Sequence, residues 1–263
     1  MKWKTLQHNG ILFPPDFESQ GIKIKIKGQP VELNLLQEEM IYQWAKKKDT
    51  PYVQDKVFQK NFTADFAKTF NTKFKNLSHP NIDFSQAFKL VDKEKDLKEM
   101  MSKEEKKKLV AKRKELREEL KEKYGKAIID GVEVELGNYM AEPAGIFIGR
   151  GEHPMRGKWK RRAFPKDVTL NLGEDAKIPK GSWGKVVHER DSMWIASWMD
   201  ELTQKRKYVW LADSARIKQE RDKAKYDKAK NLAREIDKIK DRIVQDMQSK
   251  DSKLKRIATA CYL

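Results

Sequence analysis

Apolar and charged residues alternate strictly from 22 to 27, Ile-Lys-Ile-Lys-Ile-Lys, which predicts a strand with one apolar and one lysine-bearing face; Gly28-Gln29-Pro30 supplies the turn after it. The period then changes. Leu35 to Ala45 reads as a helix, and Phe58, Phe62, Phe66 and Phe70 recur every four residues, which sets four rings on one helix face as core candidates. From about 84 to 123 charge dominates. Ser102-Lys103-Glu104-Glu105 has the form of a capping box, so this run divides into two helices, closed by Gly125. The second keeps only a thin stripe of Leu109, Leu116, Leu120 and Tyr124, too little to bury, and is expected to project from the body.

Gly131, Gly145, Gly149, Gly151 and Gly157, with Pro143 and Pro154, predict a looped segment next. Beta-branched and aromatic runs at 168–172, 194–198 and 208–211 predict a second, antiparallel sheet. Beyond Ser214, Leu232, Ile236, Ile239, Ile243 and Met247 follow helical steps along one long charged helix whose apolar stripe needs a partner. Leu254, Ile257, Ala258, Cys261, Tyr262 and Leu263 form an apolar helical face without a terminator, which reads as part of a longer chain. The expectation is an α+β fold with mixed, mostly antiparallel sheets, two long projecting charged helices and a C-terminal helical segment. Its domains are expected at 1–125, including the helix pair of about 84–124, at 126–213, which is β-rich, and at 214–263, which is helical.

Composition narrows the function. In 263 residues, 57 Lys+Arg against 40 Asp+Glu leave a formal charge of +17, which favours polyanionic partners through long-range attraction and counterion release. A single cysteine, Cys261, excludes an internal disulfide framework. His8, His79, His153 and His188 are too scattered for zinc, so no metal or other cofactor is expected. No apolar run reaches the roughly 18–20 residues of a membrane span, and the first residues lack a signal peptide's apolar stretch. A soluble, intracellular protein with no membrane contact is expected.

The densest chemistry lies at 148–162. Its glycines let backbone N–H groups approach an anion, and Lys158, Lys160 and Arg161 surround them with charge. An arginine on such a loop reaches base edges or a minor groove where lysines act on phosphates, so Arg150 is the candidate base reader. A second cluster, Lys205-Arg206-Lys207-Tyr208-Val209-Trp210, puts cations beside rings suited to sugars or bases. No serine elbow, Walker-type loop, zinc-protease motif or Cys–His pair occurs. His153, before a proline in a basic loop, fits positioning or phosphate contact better than acid catalysis. On these residues nucleic-acid binding is the expectation, and a non-catalytic chromatin- or RNA-binding protein stays open.

Asn138, Glu142-Pro143, Phe147, Gly149-Arg150-Gly151, His153-Pro154, Gly157 and Lys160-Arg161-Arg162 together resemble the eukaryotic-type DNA topoisomerase IB core. The resemblance extends upstream to Trp3-Lys4-Thr5-Leu6, Gly10, Phe13-Pro14-Pro15, Val57-Phe58-x-Lys60-Asn61-Phe62 and Met101-Ser102-Lys103-Glu104-Glu105-Lys106. Downstream it takes in Lys207-Tyr208 and Arg216-Ile217-Lys218. It implies a cap lobe that closes over duplex DNA opposite a catalytic lobe, with 84–123 as its nose-cone helices. It further implies that Arg150 enters the minor groove, that Lys160 and Lys218 contact DNA, that Lys207-Tyr208 bind phosphate, and that Asn138 lies near the camptothecin pocket. His153-Pro154-Met155 resembles the lip that closes the clamp; relatives often carry lysine at Met155 and usually arginine at Ile148. Enzymes of this family relax supercoils as monomers, without ATP, through a 3′-phosphotyrosyl intermediate. Their catalytic residues fall beyond the matched segment, so this chain is expected to bind DNA without cleaving it.

Overall fold

The computed structural model describes residues 2–71, 73–74 and 76–263. The chain forms two compact units, Met1–Leu211 and Ala212–Leu263.

The first unit runs β1 (Leu6–His8), β2 (Ile24–Ile26), β3 (Gln29–Val31), α1 (Leu35–Ala45), α2 (Lys56–Lys68), β4 (Ile82–Asp83), α3 (Ser85–Met100) and α4 (Lys103–Tyr124). Eight strands follow: β5 (Lys126–Ile129), β6 (Val132–Glu135), β7 (Gly145–Ile146), β8 (Trp159–Lys160), β9 (Thr169–Asn171), β10 (Lys185–Val187), β11 (Trp194–Asp200) and β12 (Lys205–Trp210). The fold is α+β, with mostly antiparallel sheets.

The alternating isoleucines behave as their period requires: Ile22, Ile24 and Ile26 are buried and the intervening lysines exposed. The turn, however, falls at Lys27-Gly28, both at positive φ (51° and 79°), with Ile26 paired to Gln29. Two such residues make the tight hairpin turn that matches strand twist. Pro30 therefore sits within β3, where its missing N–H is tolerated because β3 is the edge of the β3-β2-β4 sheet.

The buried isoleucines of this sheet share one core with α1 and α2. Asn34 and Gln37 form a reciprocal capping box at the start of α1, and the Asp55 side chain accepts the N–H groups of Val57 and Phe58 at the start of α2. Phe58, Phe62 and Phe66 of α2 are fully buried, with Trp44 of α1 stacked on Phe62 at 4.4 Å. Phe70 lies past the end of α2, half-buried and edge-on to Phe66.

Ser102 and Glu105 form the predicted capping box between α3 and α4, and among the described residues α4 buries none. Its root is tied down where β5 leaves it: β5 pairs with both β1 and β6, and the Asn9 side chain donates to the Lys123 carbonyl. Residues 6–8 and 126–129 thus share a sheet. Buried His8 bridges next to this root; its Nδ1 accepts from the Gly10 N–H at 3.0 Å, so the Nε2 at 3.0 Å from the Asn171 carbonyl is the donor. Burial pushes this histidine down to about 4.

The second sheet, ordered β10-β9-β11-β12, departs from the antiparallel expectation at one edge, where β10 runs parallel to β9. The long connection from β9 to β10 leaves room for the chain to return in the same direction, as a tight hairpin would not.

The second unit contains α5 (Arg216–Arg234), α6 (Ile236–Met247) and α7 (Ser252–Tyr262). The expected single long helix is broken at Glu235, whose backbone (φ −101°, ψ 3°) leaves the helical region. Ile239, Ile243 and Met247 are half-buried on α6, which contacts α7.

Candidate nucleic-acid interface

Residues 147–158 close the short β7–β8 ribbon. The Phe147 N–H donates to the Lys158 carbonyl at 2.8 Å and the Gly157 N–H to the Phe147 carbonyl at 2.7 Å. The resulting loop is docked on α2. Asn61 Nδ2 donates to the carbonyls of Pro154 (2.9 Å) and Arg156 (2.8 Å), Arg156 Nε to Asp55 Oδ2 (2.5 Å), and the Trp159 N–H to Asp65 Oδ2 (3.0 Å). The Arg156 hydrogen bond, then the backbone N–H bonds, holds the Asp55 carboxyl below the usual carboxylate range. α2 is therefore two-sided: its phenylalanines fill the core while Asn61 and Asp65 grip the loop.

Gly157 makes the docking possible. It has φ +87°, and a Cβ there would stand 2.2 Å from the Phe58 carbonyl oxygen. Gly149, at φ +75°, is similarly closed, with His153 Cβ 2.5 Å from where its own Cβ would be. His153 is an organiser of the loop: its Nδ1 accepts from the Met155 N–H at 3.1 Å and its ring meets Phe147 edge-on at 5.0 Å. Pro154 is exposed and Met155 half-buried beside it. Arg150 is exposed, and its side chain makes no hydrogen bond or ion pair among the described residues.

The remaining sequence-predicted cations are engaged. Lys160 pairs with Glu142 and with Asp200 (3.0 Å), and Lys207 with the same Glu142 (3.3 Å). Lys158 lies 4.0 Å from Asp65. Arg161 gives Nε and Nη2 to Glu201 and Nη1 to Asp167 (2.8 Å) and to the Arg162 carbonyl. Burial alone would raise the carboxyls of Glu142 and Asp200 and lower the ammonium of Lys160. The hydrogen bonds and charges among them outweigh it, so both acids are held down and the lysine up. A cavity of about 390 Å³ opens among Lys158, Lys160, Arg161, Glu142 and Asp200.

Edge strand β12 presents Tyr208 and Trp210 outward, their rings 5.1 Å apart and Trp194 behind Tyr208 at 5.9 Å. The Gly137 N–H donates to the Trp210 carbonyl, which places Asn138 at the end of this strand. The Asn138 side chain holds both the N–H and the carbonyl of Met140 in a local turn. Lys218 belongs to the second unit, where it pairs with Asp213.

Residue patterning missed the acids. Glu142, like the amide Asn61, stood out only as part of a motif, and Asp55, Asp65 and Asp200 carried no signal, because nothing local shows which cation an acid will meet. Among the described residues no three His, Cys, Asp or Glu converge as metal ligands, and no helix is long and apolar enough to cross a membrane.

The profile described as "Eukaryotic DNA topoisomerase I, DNA binding fragment" matches residues 1–211, and "Eukaryotic DNA topoisomerase I, catalytic core" matches 214–263. The chain belongs to the eukaryotic DNA topoisomerase I family. It is 40% identical to DNA topoisomerase 1 beta of Arabidopsis thaliana over 268 residues, 37% to DNA topoisomerase 1 of Candidozyma auris over 274, and 35% to human DNA topoisomerase 1 over 270. Each alignment takes in all of this chain, which spans only 29%, 36% and 35% of those topoisomerases respectively. The docked loop and the Glu142–Lys160–Lys207 cluster both lie within the segment matched as the DNA-binding part of topoisomerase I.

Proposed function

We propose that residues 1–263 are the DNA-gripping cap of a type IB topoisomerase, which holds duplex DNA while a catalytic lobe of the same enzyme cuts and reseals one strand. The observation that carries this reading is Arg150: an unpartnered guanidinium on a loop that α2 and Gly157 fix in place. A loop whose backbone is already fixed loses little further freedom when the arginine it carries enters a minor groove. Lys158, Lys160 and Lys207 take phosphates around it, with the rings of Tyr208 and Trp210 beside the sugars. Arg161, with all three guanidinium nitrogens engaged, orients its neighbours. His153, Pro154 and Met155 form the lip that meets the opposite lobe, Asn138 borders the cleavage site, and Lys218 adds a contact from the second unit. In domain terms, 1–125 with its helix pair and 126–213 make up the cap, and 214–263 begins the catalytic region.

In this enzyme class a tyrosine attacks one strand to give a 3′-phosphotyrosyl bond, the duplex rotates, and the freed hydroxyl reverses the attack. The covalent bond conserves the phosphodiester's energy, so no ATP is needed. Residues 1–263 alone are expected to bind without cleaving. Tyr42, for one, is unsuited to attack, since burial, then the hydrogen bonds to Glu94, pushes its phenol up to about 12. The enzyme works as a monomer on DNA inside the cell, in the nucleus of a eukaryote.

The test is anisotropy binding of residues 1–263 to a short duplex across a salt series, with Arg150→Ala and Lys207→Ala in parallel. Each variant is expected to keep its fold and lose roughly tenfold in affinity, and each lost phosphate contact flattens the log–log salt slope by about 0.9. Equal binding to single-stranded RNA, with no effect of either change, would overturn the reading in favour of an RNA- or chromatin-binding protein.

A further inference from the structure

Glu142 is the shared partner of two lysines delivered by different strands. Its Oε2 accepts from Lys160 of β8, and its Oε1 lies 3.3 Å from Lys207 Nζ of β12. Two oxygens sharing one negative charge between two ammonium groups are what a DNA phosphodiester would offer in the same place. The two acids around Lys160 are not equivalent. The Asp200 side chain is 2% exposed and fixed by the N–H groups of Leu202 and Thr203. The Glu142 side chain is 42% exposed and hydrogen-bonds only to the two lysines among the described residues. Removing Asp200 from its lysine would strand a buried charge, whereas Glu142 can turn into water.

We infer that Glu142 is an internal stand-in for a DNA phosphate: it keeps Lys160 and Lys207 ordered in the free protein and yields them when duplex enters, while Asp200 stays and keeps Lys160 aimed. The inference rests on the proposed duplex binding. It has a signature that a purely structural glutamate lacks. Each lysine that takes a phosphate releases a condensed cation from DNA, but a freed Glu142 carboxylate attracts one back, so net ion release is smaller than the number of contacts. The same competition favours duplexes whose phosphates reach both lysines together over ligands that reach only one.

The experiment measures binding of residues 1–263 to a short duplex at several salt concentrations for the wild type, Glu142→Gln, Glu142→Asp, Lys207→Ala and the Glu142→Gln/Lys207→Ala double variant. Glu142→Gln is expected to bind tighter, on the order of fivefold to tenfold at low salt, with a slope steeper by up to about 0.9. Glu142→Asp keeps the charge and should retain the wild-type slope. In the Lys207→Ala background the gain from Glu142→Gln should shrink, because the competitor and the cation act on each other. If Glu142→Gln does not fold, Glu142→Ser removes the same charge and carries the same expectation. Weaker binding with an unchanged or shallower slope in a folded carboxylate-free variant overturns the inference and makes Glu142 a scaffold. A wild type with no duplex binding at all overturns the cap reading itself, a result distinct from a wild type that binds and a variant that binds no better.

Discussion

The helix pair α3–α4 and the region from Glu142 to Trp210 are both dense in charge, yet they use it in opposite ways. On α4 the side chains stand in water: Lys114 and Glu118 are 3.8 Å apart and each is 64% exposed. Such pairs contribute little, and their field is felt at a distance and only at low salt. Around Glu142 the cations are half-buried, share acids and sit on short strands tied to a loop. Charge density alone therefore does not mark a binding site; what sets the proposed interface apart is fixed geometry, with cations held between shared acids.

The comparison breaks first where the geometry is made. Gly157→Ala is expected to destabilise the first unit by about 3 kcal/mol, combining a left-handed backbone cost with a clash against the Phe58 backbone. Thermal unfolding measures the loss and duplex binding should weaken with it; a variant that melts as the wild type does would show that the loop is not seated on α2.

Next comes the root of the helix pair. His8 has a folded value near 4 against an ordinary 6.5, so its neutral form stabilises the fold fully above about 6.5 and that stability is lost as pH falls through the folded value. The loss should approach about 3 kcal/mol by pH 4. Denaturant unfolding of the wild type and His8→Gln should show a flatter pH dependence in the variant between pH 6.5 and 4. Parallel curves would place the histidine outside the titrating set.

The smallest effect belongs to α4 itself. Changing Lys107, Lys108 and Lys112 together to Glu should move stability by no more than about 1 kcal/mol, since all three are exposed. The rate of duplex association should fall several-fold at low salt, and the difference should vanish near 1 M, where the screening length is about 3 Å. A loss of affinity that survives high salt would mean that α4 touches DNA and would remove the contrast drawn above.

Much of this was legible in the residues. The isoleucine alternation, the capping box at Ser102 and the phenylalanine spacing each fix a local period or a hydrogen bond within four residues, so no distant partner is needed to read them. The Gly149-Arg150-Gly151 segment was readable for a related reason: both glycines have positive φ, and at Gly149 a Cβ has no room, so the backbone leaves a mark in sequence. The turn at Lys27-Gly28, the parallel β10 and the break at Glu235 were not, because each reflects a balance between neighbouring conformations that only packing resolves.

What the sequence by itself determined is the helices of the first unit, the strands near 22–27, 168–172, 194–198 and 208–211, the net charge and the loop that presents Arg150, whereas β6, β7 and β8 formed where only a looped segment was expected. Which acid meets which cation was decided by tertiary structure alone. Glu142 is 18 residues from Lys160 and 65 from Lys207, and Asn61 is 93 from Pro154. Hydrophobic periodicity specifies which face of an element is buried but not what lies across from its polar face. That pairing follows only when the sheets close and α2 turns its second face to the loop.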